Sequence, residues 1–280
     1  MKKGISIWSF PAMSLNDSFA LAKKAGFEGV EVGLDEKNGE ITLSSTEKDL
    51  LEIKKQAENN GIELYSVASG LYWSYFLNDD DESVRSKAQD IVKKQLETAS
   101  ILGCQSILVI PGCVNADFAA AGKIMDYERC YNRSLESVNK VKEYAAQYKV
   151  EIGLENVWNK FLLSPLEMRG FIDAVDSKWV GSYLDIGNTL YCGYPEHWIN
   201  ALGKRIKKVH FKDYRMDAGG LHGFVDLLAG DVNYPAVVEA LKNVGYDGWV
   251  TAEMIPNYKY YTETIIYNTS NAMDAILGRK

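Results

Sequence analysis

The chain has 280 residues, of which 46% are hydrophobic and 25% charged, and its formal net charge is −7. This composition is typical of a globular protein with a sizeable core, and it excludes extended disorder. The acidic balance, with both signs interspersed, argues against nucleic acid as a partner. The four cysteines form no CxxC pair and no apolar run is long enough to span a bilayer, so we expect reduced thiols, no membrane and a cytoplasmic protein.

Short runs rich in β-branched residues alternate with longer amphipathic stretches along the whole chain, which is typical of a βα repeat. We predict eight strands, at residues 4–8, 29–34, 63–68, 106–110, 151–155, 181–185, 207–211 and 249–253. We predict helices at residues 17–25, 47–60, 82–102, 127–148, 165–174, 195–202 and 234–244, with an eighth closing the chain. Gly26, Gly61, Gly103 and Gly245 each follow a predicted helix, where a left-handed C-cap is easiest for a residue without Cβ.

Eight parallel strands with helical crossovers either close into a barrel or lie open as a doubly wound sheet, and the strand count favours closure. The sequence contains no Gly- or Ser-rich linker and no low-complexity run that would mark a domain boundary. The sequence therefore predicts an α/β protein that consists of a single (β/α)8 TIM barrel domain over residues 1–280.

Four side chains able to bind a metal stand at the ends of the last four predicted strands, which read EIGLE, GSYLD, KVHFK and WVTAE. They are Glu155, Asp185, His210 and Glu253. The carboxyl ends of barrel strands converge on one site, and strand alternation predicts that these four side chains point inward. Apolar residues of the opposite parity would face the helices: Ile152, Leu154, Leu184, Val209, Phe211, Val250 and Ala252.

Buried carboxylates without partners are costly to desolvate, and three of them together would also repel one another. A divalent cation between the four side chains would resolve both problems. Three carboxylates and an imidazole form a hard, oxygen-rich ligand set that suits Mn²⁺, the ion we expect, or Mg²⁺, and accepts Co²⁺ or Zn²⁺. Each residue taken singly could instead be a capped or salt-bridged strand end, and the coincidence of all four favours the metal.

Five segments of the chain carry a resemblance to a known family. They are LENVWN at 154–159, YLDIGN at 183–188, KKVHFKDYR at 207–215, LLAGDVNYPAVVEAL at 227–241 and GYDGWVTAEM at 245–254. Together they resemble the sugar phosphate isomerase/epimerase group of xylose-isomerase-like barrels, which includes the ketose 3-epimerases. The resemblance implies one metal bound by Glu155, Asp185, His210 and Glu253. It also implies that Glu155 and Glu253 are catalytic, one removing a proton from the sugar and the other returning it through a cis-enediolate.

Four further residues are candidates for binding substrate. Arg215 matches a position where the family uses an arginine to support a metal-bound glutamate and a substrate oxygen, although it could instead pair with a surface carboxylate. Asn188 stands where many ketose 3-epimerases have a histidine, and the DIGN segment resembles the branch that includes epimerases of phosphorylated ketoses. Lys212 is a candidate for contact with substrate, and Trp8 could either form an aromatic wall against the sugar or pack a loop.

The ligand set and the family resemblance together favour a metal-dependent epimerase or isomerase that acts on a small-molecule sugar or sugar phosphate. C3 epimerisation and aldose–ketose isomerisation share this machinery, so the sequence does not separate them. Two alternatives stay open: an inosose-type dehydratase, which is a lyase that loses the same proton and then expels a hydroxyl, and a sugar-binding barrel without catalysis. The aromatic segment 258–267 could cover a second copy of the chain, so a homo-oligomer is a further open prediction.

Overall fold

The computed structural model describes residues 1–116, 124–255 and 257–279, and within them eight parallel strands close into a barrel. The strands are β1 (Lys2–Ser6), β2 (Gly29–Gly33), β3 (Glu63–Ala68), β4 (Ser106–Val109), β5 (Glu151–Glu155), β6 (Val180–Asp185), β7 (Ile206–Phe211) and β8 (Trp249–Ala252). Each strand pairs with its neighbour in the chain, and β1 pairs with β8 to close the ring. The predicted (β/α)8 TIM barrel is therefore confirmed.

Helices follow the strands, and the seven for which bounds were predicted agree with them to within two residues. They are α1 (Leu15–Ala25), α2 (Glu47–Asn59), α3 (Glu82–Leu102), α4 (Tyr127–Tyr148), α5 (Pro165–Val175), α6 (Pro195–Leu202), α7 (Tyr234–Asn243) and α8 (Thr264–Leu277). Side-chain caps explain several of the starts. Thr46 and Asp49 form a capping box before α2, and Ser164 accepts a hydrogen bond from the backbone N–H of Glu167 before α5.

Several helices end at the glycines that the sequence pattern indicates. Gly26, Gly61, Gly103 and Gly245 all have positive φ angles, between 66° and 94°. Gly26 and Gly103 are themselves the C-caps of α1 and α3. The prediction that these four glycines terminate helices in the left-handed region is confirmed, and its physical reason is the missing Cβ.

The first strand differs most from its prediction. We expected residues 4–8, whereas β1 spans Lys2–Ser6 and residues Ile7–Ser9 form a 3-10 turn. The Ser6 hydroxyl accepts a hydrogen bond from the backbone N–H of Trp8 at 3.4 Å. This local bond competes with the strand ladder and ends the strand two residues early.

Side chains from alternate strand positions fill the interior of the barrel. Tyr65 stacks on Trp249 with ring centroids 4.0 Å apart, and its hydroxyl donates to Thr251 Oγ1 at 2.8 Å. Gly4 makes room for this ring, because a Cβ at that position would lie 2.2 Å from the Tyr65 hydroxyl oxygen. The apolar residues of opposite parity on β5 to β8, such as Leu154, are buried in the hydrophobic core as expected.

Two short antiparallel strands, Asp213–Tyr214 and Phe224–Val225, pair with each other after β7. The buried carboxylate of Asp213 accepts hydrogen bonds from the backbone N–H groups of Leu228, Gly230 and Val232. These bonds satisfy loop amides that would otherwise be left unpaired, and they fix the βα loop that follows β7. The loop therefore has a defined shape at the carboxyl end of the barrel.

Each of the described helices is too short or too polar to cross a lipid bilayer. In the aromatic segment near the chain end, the hydroxyl of Tyr258 bonds to Asp226 of the same chain, whereas Tyr260 and Tyr261 are exposed. That a second copy of the chain covers these two rings remains a prediction.

Candidate metal centre

The four residues singled out at the strand ends meet at the carboxyl end of the barrel. Glu155 and Asp185 are the last residues of β5 and β6, His210 is the penultimate residue of β7, and Glu253 directly follows β8. All four side chains are buried, and one ligand atom from each lies within 4.8 Å of the others. The barrel thus brings the predicted ligand set together.

The imidazole of His210 stands at the middle of this cluster. Its Nδ1 lies 3.3 Å from Glu253 Oε2, 3.5 Å from Glu155 Oε1 and 3.9 Å from Asp185 Oδ2. Asp185 Oδ2, His210 Nδ1 and Glu253 Oε2 are all buried, and they face one another and the ammonium group of Lys212. One imidazole nitrogen and oxygens from three buried carboxylates that converge on one point are what a cation site requires, so the donor set fits a divalent metal.

Lys212 also reaches this cluster. Its buried Nζ lies 2.6 Å from Glu253 Oε2 and 3.1 Å from Asp185 Oδ2, and it sits over the ring of Phe224 at 5.1 Å. The ammonium group therefore compensates part of the negative charge of the three carboxylates. Of the four predicted substrate-binding residues, Lys212 is the one that contacts the metal-ligand candidates through its own charge.

The pKa values of the cluster diverge. Burial raises the pKa of Glu155 to about 7, against the influence of the neighbouring His210. Burial acts on Glu253 in the same direction, but the adjacent Lys212 and His210 outweigh it and hold its pKa well below the usual range. Burial also raises the pKa of Asp185. The two glutamates therefore occupy different protonation regimes near neutral pH.

Burial opposes a charge on His210, yet the carboxylates of Glu31 and Glu253 prevail and raise its pKa well above the usual range. Glu31 is a residue that our sequence analysis missed. It lies on β2, is completely buried, and its Oε1 is 3.0 Å from His210 Nε2. The strand reads GVEVG, so the same alternation that identified the other inward residues could have identified Glu31.

Two asparagines form hydrogen bonds beside the ligand candidates. The Asn156 side chain accepts from the backbone N–H of Asp185 and donates to the Asp185 carbonyl, both at 2.9 Å. Asn188 donates from its side chain to the Asn156 carbonyl at 3.0 Å, and its backbone N–H caps Asp185 Oδ1 at 2.8 Å. Both asparagines line a cavity of about 340 Å³ that Trp158 and Lys160 also line. This cavity is space next to the cluster that a ligand could enter.

The other two predicted substrate residues make different contacts. Arg215 is exposed, and its guanidinium donates to the Ala229 carbonyl at 2.6 Å within the loop after β7. Trp8 is half-buried and lines a different cavity, together with Asp35 and Glu40. None of the contacts described for Arg215 and Trp8 involves the four ligand candidates. Their roles in substrate binding remain predictions.

Curated relatives match most of the chain. An uncharacterised protein of Methanocaldococcus jannaschii is 26% identical over 261 residues, which cover 90% of this chain and 83% of the relative. The L-ribulose-5-phosphate 3-epimerase UlaE of Escherichia coli is 24% identical over 240 residues, which cover 84% of this chain and 80% of that enzyme.

Solved structures share the fold over the full length. A D-psicose 3-epimerase solved in the presence of D-fructose superposes with a TM-score of 0.82 at 18% identity, covering 99% of this chain and 100% of that one. The IOLI protein with a bound zinc atom gives a TM-score of 0.79 at 18% identity, covering 100% and 99%. The model of the xylose isomerase-like TIM barrel family matches residues 19–268. The chain therefore belongs to the xylose isomerase-like TIM barrel family.

Proposed function

We propose that this chain is a metal-dependent sugar epimerase that acts on a ketose or ketose phosphate by moving a proton next to the carbonyl. The observation that carries the proposal is the buried cluster of Glu155, Asp185, His210 and Glu253, whose ligand atoms all lie within 4.8 Å of one another. Relatives that are named as 3-epimerases of ribulose phosphate and psicose support the substrate class.

The four cluster residues would hold one divalent cation, with Mn²⁺ the expected ion and Mg²⁺, Co²⁺ or Zn²⁺ as alternatives. When bound, such a cation polarises a sugar carbonyl, which makes the neighbouring C–H acidic enough for a carboxylate to remove its proton. A zinc atom in the IOLI protein supports the capacity of this fold for a metal.

Glu155 and Glu253 would perform the proton transfers. Lys212 and His210 keep Glu253 ionised, and Glu155 must be ionised to ligate a cation, so either carboxylate could remove a proton as general base and return it as general acid. The two glutamates come from β5 and β8, so they approach a bound sugar from different sides of the barrel mouth. Removal from one face and return to the other, through a cis-enediolate, inverts the carbon.

Residues in the loops after β5 and β6 bear on whether the sugar is free or phosphorylated. The DIGN segment and the curated phosphoketose epimerase relative favour a phosphate. Lys160 lines the cavity of about 340 Å³ beside Asn188, and the ammonium of Lys212 lies 3.1 Å from Asp185 Oδ2. A pentulose phosphate is therefore the first substrate to test, followed by free ketopentoses and ketohexoses.

The test incubates the Mg²⁺- or Mn²⁺-loaded protein in D2O with these sugars and locates deuterium by NMR after protein and metal are removed. We expect label at C3 together with the C3 epimer, and a loss of about 10²- to 10⁴-fold in rate for Glu155→Gln and for Glu253→Gln. Glu151→Gln, on the same strand as Glu155 but paired with Lys207, should keep wild-type activity.

Other outcomes identify the alternatives. Label at C1 with an aldose product would mean aldose–ketose isomerisation, and loss of water would mean a dehydratase. Saturable sugar binding with neither label nor product would overturn catalysis and leave a sugar-binding barrel.

A further inference from the structure

The residues on the far side of His210 form a buried chain that the proposed chemistry does not use. Glu31 Oε1 lies 3.0 Å from His210 Nε2, and the hydroxyl of Tyr183 donates to Glu31 Oε2. Ser66 Oγ lies 3.3 Å from the same hydroxyl, and the Tyr183 ring packs edge-on against the imidazole with centroids 4.7 Å apart. All four side chains are completely buried, on β2, β6, β3 and β7.

The two nitrogens of His210 face different groups. Nδ1 points to the three carboxylates of the metal cluster, whereas Nε2 points to Glu31. A neutral imidazole carries one proton, and a carboxylate beside Nε2 holds that proton there because it accepts the hydrogen bond. Nδ1 is then left with a lone pair directed into the cluster, which is the form that ligates a metal.

The backbone is irregular at the two residues that make this arrangement. The register between β2 and β3 shifts between Val30 and Glu31, and the register between β6 and β7 shifts between Ser182 and Tyr183. Such irregularities re-aim side chains and are frequent beside active sites. Both shifts thus act on side chains that bond to each other beneath His210.

We propose that Glu31 is a positioning residue for the metal centre, which fixes the tautomer and orientation of His210 and adds negative charge behind it. The inference rests on the metal site of the proposed function but not on which sugar is turned over. It extends the cation-binding unit from the ends of β5 to β8 to the opposite side of the barrel, where β2 lies.

The first test measures cation affinity without substrate. Purified wild-type protein, Glu31→Gln and the control Glu151→Gln are stripped of metal and titrated with Mn²⁺ and Zn²⁺ by calorimetry against a competing chelator. We expect Glu31→Gln to bind about 10- to 100-fold more weakly than the wild type, because the isosteric amide keeps the shape and loses the charge. Glu151→Gln should bind as the wild type does.

The second test reads the tautomer in the wild type and so does not depend on any variant folding. The sequence has three histidines, which makes assignment of His210 by ¹⁵N NMR of the Zn²⁺-loaded protein straightforward. We expect the proton on Nε2, in a strong hydrogen bond, and an unprotonated Nδ1. In Glu31→Gln the Nε2 proton signal should move upfield as the bond weakens.

Equal affinity of a folded Glu31→Gln, or a proton found on Nδ1 of the wild type, would overturn the inference while leaving the proposed reaction intact. A wild-type protein that binds no cation would instead remove the metal centre, and with it both proposals.

Discussion

At the scale of single residues, the candidate site is a cluster of buried charges that must be balanced. Three carboxylates, one imidazole and the Lys212 ammonium are buried within a few ångströms of one another. The sequence predicts a cation as the compensation for the buried negative charge, whereas in the structure Lys212 supplies part of that compensation. The pKa of Lys212 is raised because Asp185 and Glu253 outweigh the effect of burial. The charges of a divalent cation and of the Lys212 ammonium would together balance the negative charges of the three carboxylates.

The raised pKa of Glu155 predicts that cation affinity depends on pH. Glu155, with a pKa of about 7, and His210, with a raised pKa, must both lose protons before they can ligate a metal. Affinity should therefore rise from pH 6 to pH 8, by up to about tenfold per pH unit for each ligand that is still protonated at that pH. Chelator competition at each pH measures this.

Glu155→Gln supplies the control for that pH series. The variant lacks one of the titrating groups, so its affinity should be lower throughout and its dependence on pH should be shallower. A wild-type affinity that stays constant or falls between pH 6 and pH 8 would contradict the assignment of protonated ligands.

At the scale of strands and helices, alternation explains why four inward-facing residues were predicted and why Glu31 was not. The inward parity of Glu155, Asp185, His210 and Glu253 could be read from four strands that end in similar patterns. Glu31 obeys the same rule on β2, but it lies in the middle of its strand rather than at the end. Only the closed ring shows that this mid-strand position faces His210.

The strand glycines make room for the interior rings, and Gly153 on β5 tests this. A Cβ at Gly153 would lie 2.8 Å from Tyr183 Cδ2, so the ring that bonds to Glu31 would have to move. We expect Gly153→Ala to lower the free energy of unfolding by about 1–3 kcal/mol, as overpacking usually does. Urea denaturation of the metal-free protein measures the change.

Gly170→Ala on α5 is the matched control, because nothing lies within 4 Å of a Cβ built there. Alanine is favoured over glycine in a helix, so this variant should be as stable as the wild type or up to about 1 kcal/mol more stable. Equal stability of the two variants would mean that the barrel interior tolerates the extra methyl group.

At the scale of the whole molecule, the candidate site spans the second half of the barrel, since its ligand candidates come from β5, β6, β7 and β8. A metal that binds only the folded chain should stabilise it by about 4 kcal/mol at a thousandfold excess over Kd. Thermal unfolding followed by circular dichroism, with chelator and then with Mn²⁺ or Mg²⁺, should show a higher midpoint in metal.

The Asp185→Asn variant serves as the comparison, because it removes one ligand charge and should respond much less to added metal. A wild-type midpoint that is the same in chelator and in every divalent metal would contradict a cation site that spans these strands.

The sequence by itself determined the fold, because eight βα units with glycine-terminated helices leave a closed barrel as the favoured way to bury their apolar faces. It also determined the four ligand candidates, because strand parity and strand ends are local properties. Only the tertiary structure decided what surrounds them: Glu31 behind His210, Lys212 between two carboxylates, and Arg215 turned to a loop carbonyl. Those contacts join residues far apart in the chain, and their distances depend on how the barrel closes and how its strands shift register.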